Sequence, residues 1–426
     1  MSIVTKISGL QNRISEIEDN FSAFEAETTT NIKELNDRLP TMKVYGDTEG
    51  MSKDDAKTLF AKYSNGTESF SGYCTLKWQG SSSLAYDKKN YTISFYLDGD
   101  GENKNTHEFK NGWGNQSKYV LKANYIDYTH ARNICSAMLW ADIVKTRKNV
   151  DSNIAKTPNY CAIDGFPVKL YINDQYKGLY TLNIPKDGWM FGMDKKNPNH
   201  AVLCAEQNNN GDNTKRNSSE FRKLANIDES DWSLEFPKEL NPDIKTSFNN
   251  LISFVMNSTD TEFKESISDY LDLESAIDYW IFCYFILASD SLGKNQIFMT
   301  YDGIHWIASM YDMDSVFGLA WNGYSYLPSN TACPSGYQET NNLLWERISS
   351  LYADEIKVRY NELRKTALDV NYIAAVFKDF DKLIPDYIRR MDVGIYGWVP
   401  QYETNTVSRI IEFIRNRAVY CDEMFG

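Results

Sequence analysis

Residues 288–315 read ASDSLGKNQIFMTYDGIHWIASMYDMDS. Two apolar, aromatic-rich runs stand in this stretch, Gln296 to Tyr301 and His305 to Ser309, and each reads as a strand. Polar residues flank them: Asp290 to Asn295 before the pair, Asp312 and Asp314 after it. Upstream, Leu273 to Leu287 is nearly all apolar or aromatic, which predicts a buried helix. Earlier still, Tyr91, Ile93, Phe95 and Leu97 alternate on one face of a predicted strand. Tyr119 to Ala123 and Val168 to Ile172 read as strands too. Asn173-Asp174-Gln175 turns the latter into Tyr176 to Leu182, a hairpin. His130 to Ile143 follows Asp127 as a helix, and the pattern from Asn342 onward is helical, ending in Ser408 to Met424. Strands early and helices late predict an α+β protein whose strand-rich and helical lobes enclose a cleft.

Bulk properties narrow the function classes. The 426 residues are 42% hydrophobic and 14% aromatic, enough for a sizeable core. A formal net charge of -13 disfavours a general grip on nucleic acid or anionic membrane. No apolar run approaches the ~20 residues of a bilayer span, and Met1 to Lys6 lacks the basic-then-apolar start of a signal peptide. Seven cysteines without CxxC pairs argue against a zinc ribbon or disulfide framework and for synthesis in a reducing cytosol. His107, His130, His200 and His305 are too dispersed for a metal cluster or a serine-type triad.

Before Pro40 the pattern changes. Ile3, Ile7, Leu10, Ile14, Ile17, Phe21 and Phe24 recur at steps of three and four, with polar residues between them. That narrow seam predicts a coiled coil, with a phase shift near Thr28 before Ile32, Leu35 and Leu39. An amphipathic helix packed on its own domain would show a wider stripe. Residues 1–40 are therefore expected to be an oligomerising stalk, and residues 41–426 a single globular domain. Ile at both core positions favours a trimer. A trimeric stalk bearing a globular head is a common plan among bacteriophage tail and fibre proteins.

Four elements carry chemistry, and each has an ordinary reading. Gln79-Gly80-Ser81-Ser82-Ser83 can cover phosphates because small residues let backbone amides approach an anion; most Gly-Ser runs are turns. Lys88-Lys89 can neutralise phosphate oxygens, although lysines at a strand end are usually solvated. Asp290 to Asn295 has the Asp-x-x-x-x-Asn spacing of a kinase catalytic loop, a short pattern that also arises by chance. Asp312 and Asp314 can hold a magnesium ion with phosphate and water, or simply cap a turn. Their order along the chain raises the odds, because nucleotide phosphates need both a metal and a lysine before an acceptor can attack.

At these residues the chain resembles the spore-coat-protein-H (CotH) kinase family. The likeness runs through Gln79-Gly80-Ser81, Lys89 to Phe95, and Leu121-Lys122-Ala123-Asn124 with Asp127 and Arg132-Asn133. It continues through Leu170 to Asn173, Tyr176 to Tyr180, Asp290 to Asn295, Asp312-Met313-Asp314, and Ile414 to Arg417 with Tyr420. The resemblance implies an atypical, two-lobed kinase fold that uses ATP with magnesium or manganese to phosphorylate serine on coat proteins. It implies Asp290 as the catalytic aspartate, Lys89 as the phosphate lysine, and Asn295 and Asp312 as metal ligands. Beside it, Gly80, Ser81 and Ser82 are the candidate nucleotide loop, and Asp314 is a candidate ligand for a second ion or a brace for the loop. Arg132 and Asn133 match an Arg-Asn pair that would buttress the cleft. Two departures stand out. Gln79 replaces an arginine, with Lys77 two positions upstream, and Tyr311 replaces a tryptophan before the aspartates. No glutamate partner for the lysine is evident, Glu206 being the nearest guess.

Three functions follow. The stalk and the missing arginine favour a virion structural protein, a tail, baseplate or fibre component made in the host cytoplasm and contacting other virion or coat proteins. The retained Asp290, Asn295 and Asp312 favour an active Ser/Thr kinase, virion-borne or cytoplasmic. The aromatic content allows a glycan-binding head, for which Trp321, Tyr324 and Tyr326 around Gly323 form the expected exposed cluster.

Overall fold

A computed structural model describes residues 39–80, 82–205, 232–288, 291–332, 342–396 and 404–426. The stalk expected before Pro40, together with Ser81, Glu206 and Asp290, lies outside these residues, Leu39 and Pro40 excepted.

Seven strands close a barrel in the order β1-β2-β3-β4-β5-β7-β6. They are β1 (Thr41–Tyr45), β2 (Lys57–Ser64), β3 (Ser69–Gln79), β4 (Asn90–Tyr96), β5 (Lys118–Lys122), β6 (Gly165–Ile172) and β7 (Gln175–Asn183). Closure comes from β1, which pairs in parallel with β6, Thr41 opposite Lys169. Alternate side chains fill the interior, among them Val44, Ala61, Cys74, Leu76, Ile93, Phe95, Tyr119, Leu170 and Leu182. A barrel this small has no room for anything but its own side chains. Closing it leaves no free edge. The β6–β7 hairpin turns on Asn173 and Asp174, both at positive φ, the geometry of the two-residue turn that follows right-handed strand twist. Asn173 also receives the Gly46 amide on its side-chain oxygen.

Helix α1 (Arg132–Lys145) is inserted between β5 and β6. The second sheet has the order β11-β10-β8-β9, all antiparallel. Its strands are β8 (Ala201–Ala205), β9 (Trp232–Phe236), β10 (Gln296–Thr300) and β11 (Ile307–Met310). The helices of this half are α2 (Pro242–Asn257), α3 (Asp260–Ser266), α4 (Leu273–Ile286), which packs on β11, α5 (Leu343–Leu351), α6 (Ala353–Leu363), α7 (Val370–Asp381), α8 (Asp386–Tyr396), which packs on β7 of the barrel, and α9 (Val407–Phe425). A strand-rich first half and a helical second half follow the sequence expectation. One continuous cluster of buried residues joins them.

Helix α4 is the axis of the second half. Asp272 caps it by accepting the Ser275 amide at 2.6 Å. Every residue from Ser275 to Ile286 is buried, so the helix needs no polar face. Its one interior charge, Asp278, accepts from Arg147 Nε at 2.7 Å and Arg359 Nε at 2.7 Å. That bridge ties the end of α1 and helix α6 to α4. Replacing Asp278 by alanine removes the shielded counter-charge of Arg147 and leaves Arg359 only the more exposed Glu362, 3.4 Å away. Urea denaturation of Asp278→Ala is expected to show a loss of about 3–5 kcal/mol.

Candidate functional site

Helix α4 ends at Leu287, in the left-handed conformation, and its chain direction leads to the 291–295 turn. Antiparallel pairing then sets the geometry. Gln296 of β10 lies opposite Met310 of β11. Continuing that register carries Asn295 and Tyr311-Asp312 to the same end of the sheet. Asn295 and Asp312 both have positive φ, 57° and 55°. Such backbone is uncommon for residues other than glycine, and here it redirects both chains at the ends of their strands.

Helix α1 fixes the loop after β11. Asn133 Oδ1 accepts the Met313 amide at 3.0 Å, and Arg132 Nε donates to Val316 O at 3.1 Å. Phe317 N donates to Ile286 O at 2.7 Å, which ties the same loop to α4. Arg132 is wholly buried, with Nη1 at 2.6 Å from Asp127 Oδ1 and 2.5 Å from Asn405 Oδ1. The expected buttressing by Arg132 and Asn133 is thus a set of direct bonds to the loop carrying the aspartates.

Facing the aspartates stands Lys122, the last residue of β5. Its ammonium lies 2.9 Å from Asp312 Oδ1 and 4.0 Å from Asp314 Oδ2. Burial opposes the charged form of each partner. For Asp312, burial is outweighed by Lys122, with smaller help from Lys294 and Lys186, so its carboxyl is held below the usual range. Lys122 is correspondingly raised by Asp312, Asp314 and Tyr311 against burial. Lys186, just past β7, sits 4.4 Å over the Tyr311 ring and pairs with Glu235 Oε1 at 2.7 Å. Three lysines therefore act on one aspartate in a chain whose net charge is -13.

Lys89 is placed elsewhere. Its ammonium donates to Leu84 O at 2.8 Å and to Tyr86 O, and stacks 5.2 Å over Trp78. It closes the turn that follows Gly80 rather than meeting the aspartates. The lysine that meets them is Lys122. Its sequence signal is its position in Leu121-Lys122-Ala123-Asn124, at the end of a strand whose preceding residues face the core. Gly80 has φ 123°, and a Cβ there would fall 2.1 Å from Ser83 Oγ, so the turn requires glycine. Ser82 lies in the short 3-10 turn Ser82–Ala85. Asn90 couples this turn to β5: its Nδ2 donates to Ser83 Oγ at 3.2 Å and its Oδ1 accepts the Ala123 amide at 2.7 Å.

Tyr86 stacks on Tyr125 at 4.6 Å, and burial, with the nearby Asp314 carboxylate and Tyr324, pushes its hydroxyl up. Trp321 and Tyr324 are exposed on the turn beyond the aspartates, whereas the Tyr326 ring is covered by Arg409 at 3.8 Å.

A family model described as CotH kinase protein matches residues 76–421, most of the chain. The chain belongs to the CotH kinase protein family. No curated protein matches it. The family match spans every contact described above at the cleft, from Trp78 to Arg409. No helix among the described residues is long and apolar enough to cross a membrane.

The donor set suits a hard divalent cation. Asp312 and Asp314 offer carboxylate oxygens and Asn295 an amide oxygen, the ligands magnesium and manganese take alongside phosphate and water. Among the described residues no three His, Cys, Asp or Glu side chains gather around one point. Loop position matters for such a site. Asn133→Ala removes the acceptor for a buried amide, and denaturation should show a cost of about 1–3 kcal/mol.

Proposed function

We propose that this CotH-family domain binds ATP with magnesium or manganese between Lys122 and Asp312 and transfers the terminal phosphoryl group to a serine or threonine hydroxyl of a partner protein. The observation that carries this reading is the Lys122–Asp312 pair, 2.9 Å apart, with Lys186 and Lys294 adding their attraction to the same carboxylate. In this reading Asp312 and Asp314 would hold the metal and Lys122 would pair with the nucleotide phosphates. The metal neutralises phosphate charge when bound. Amides of the Gly80 turn face the phosphates. The acceptor oxygen forms its bond to the terminal phosphorus while the bond to the bridging oxygen breaks and ADP leaves. Asp290, five positions before Asn295 in the chain, receives the hydroxyl proton.

Calorimetric titration of the full chain with ATP and manganese tests the site. Asp312→Asn and Lys122→Met should each weaken binding by about ten-fold or more, the order expected for losing a charge-assisted contact. Asp290→Ala should keep binding and lose phosphate transfer. Wild-type binding that survives both Asp312→Asn and Lys122→Met unchanged would sink the assignment.

A second reading concerns the whole protein, and the heptad seam of residues 3–24 favours it. In this reading residues 1–40 gather the domain into a trimer, as a tail, baseplate or fibre component of a phage virion. Sedimentation equilibrium should give a trimer for the full chain and a monomer once residues 1–38 are removed. A monomeric full chain would refute the stalk.

A further inference from the structure

Helix α8 reaches the barrel through a buried ion pair. Lys88 Nζ lies 2.5 Å from Asp392 Oδ2, and both side chains are almost fully shielded. Lys88 also donates to Leu179 O at 2.6 Å, while Leu179 N donates to Asp392 Oδ1 at 3.0 Å. Gly178 is part of the fit, since a Cβ there would fall 2.2 Å from Asp392 Oδ1. His130 Nε2 stands 3.7 Å from Asp392 Oδ2. On the other side of that ring, His130 Nδ1 is 3.3 Å from Asn124 Nδ2, which lies 3.4 Å from Lys122 O and 3.1 Å from Thr181 Oγ1. Two routes thus run from Asp392 toward the cleft. One passes through Lys88 along the chain to Asn90, which holds both Ser83 and Ala123. The other passes through His130 and Asn124 to the backbone of Lys122.

Stability alone does not account for this arrangement. A buried ion pair is often matched or exceeded by apolar residues of similar size. What the pair supplies that apolar packing lacks is directional bonding. We propose that Asp392 is a positioning residue, which, through Lys88 and His130, sets the end of β5 and the glycine-serine turn so that Lys122 meets Asp312. The inference rests on Lys122 being the phosphate lysine.

Two full-chain variants test it. Lys88→Met with Asp392→Asn makes the pair neutral and keeps an acceptor for the Leu179 amide. Asp392→Glu keeps the charge and displaces it. Thermal melts establish folding. Brief acetylation with acetic anhydride, read by mass spectrometry, then compares Lys122 with Lys186. In both variants Lys122 labelling should rise roughly five- to ten-fold relative to Lys186, the scale of one lost hydrogen-bonding contact, and affinity for ATP with manganese should fall by a similar factor. Folded variants with unchanged Lys122 labelling would overturn the positioning role. So would failure of both variants to fold, which would make the pair a folding determinant instead. If the wild type takes up no ATP, the phosphotransferase reading falls, and the acetylation ratio still decides whether Asp392 positions Lys122.

Discussion

Arg132 is the contact on which the loop of the aspartates depends. A guanidinium that is wholly buried must find its partners inside the protein, and here two of the three come from distant parts of the chain. Asp127 lies just before α1, Val316 follows the aspartates, and Asn405 precedes the last helix. Arg132 therefore joins the approach to α1, the loop after β11 and the start of α9 at one point. The planar fork of arginine suits this role, since its donors leave in fixed directions. Asn133, the next residue, holds Met313 between the two aspartates. The site is built from the N-terminus of one helix, not from the aspartates' own segment.

Much of the fold was legible because apolar spacing records which faces are buried. Helix α4 and strands β4, β7 and β10 lie within a residue of their expected bounds, and β6 starts three residues earlier than expected. Strands β2 and β3 are harder to read. In β3, serines, glycine and threonine surround the buried Cys74 and Leu76, so the alternation is muted. Barrel closure by a parallel β1–β6 pair joins residues far apart in sequence, and no local pattern encodes that partnership.

For the site, sequence order placed Asp312 and Asp314 more readily than it placed the lysine that meets them. Asp312 and Asp314 follow a strongly apolar strand, whose pairing fixes where the loop after it begins. Lysines offer less. Lys88, Lys89 and Lys122 all flank strands, yet one is buried against Asp392, one closes a turn on backbone carbonyls, and one faces the aspartates. A long flexible stem separates a lysine's charge from its backbone, so chain position constrains the ammonium weakly. Pairing decides it, and pairing is a tertiary property.

The same logic explains why two adjacent lysines diverge. Asn90 opens β4 and is buried, and strand geometry sends successive side chains to opposite faces. Lys88 and Lys89 precede it and point to different surroundings. Lys88 goes inward to Asp392 on α8, and Lys89 goes to the turn behind Gly80. One short segment thereby attaches the barrel to the helical half and shapes the turn that would face phosphate. The barrel is closed and stiff, so displacement at Lys88 would be carried to β5 as a rigid shift rather than absorbed locally. Joining the halves through ionic and hydrogen-bonded contacts fixes their relative position more narrowly than apolar packing does, because such contacts are lost within a fraction of an ångström.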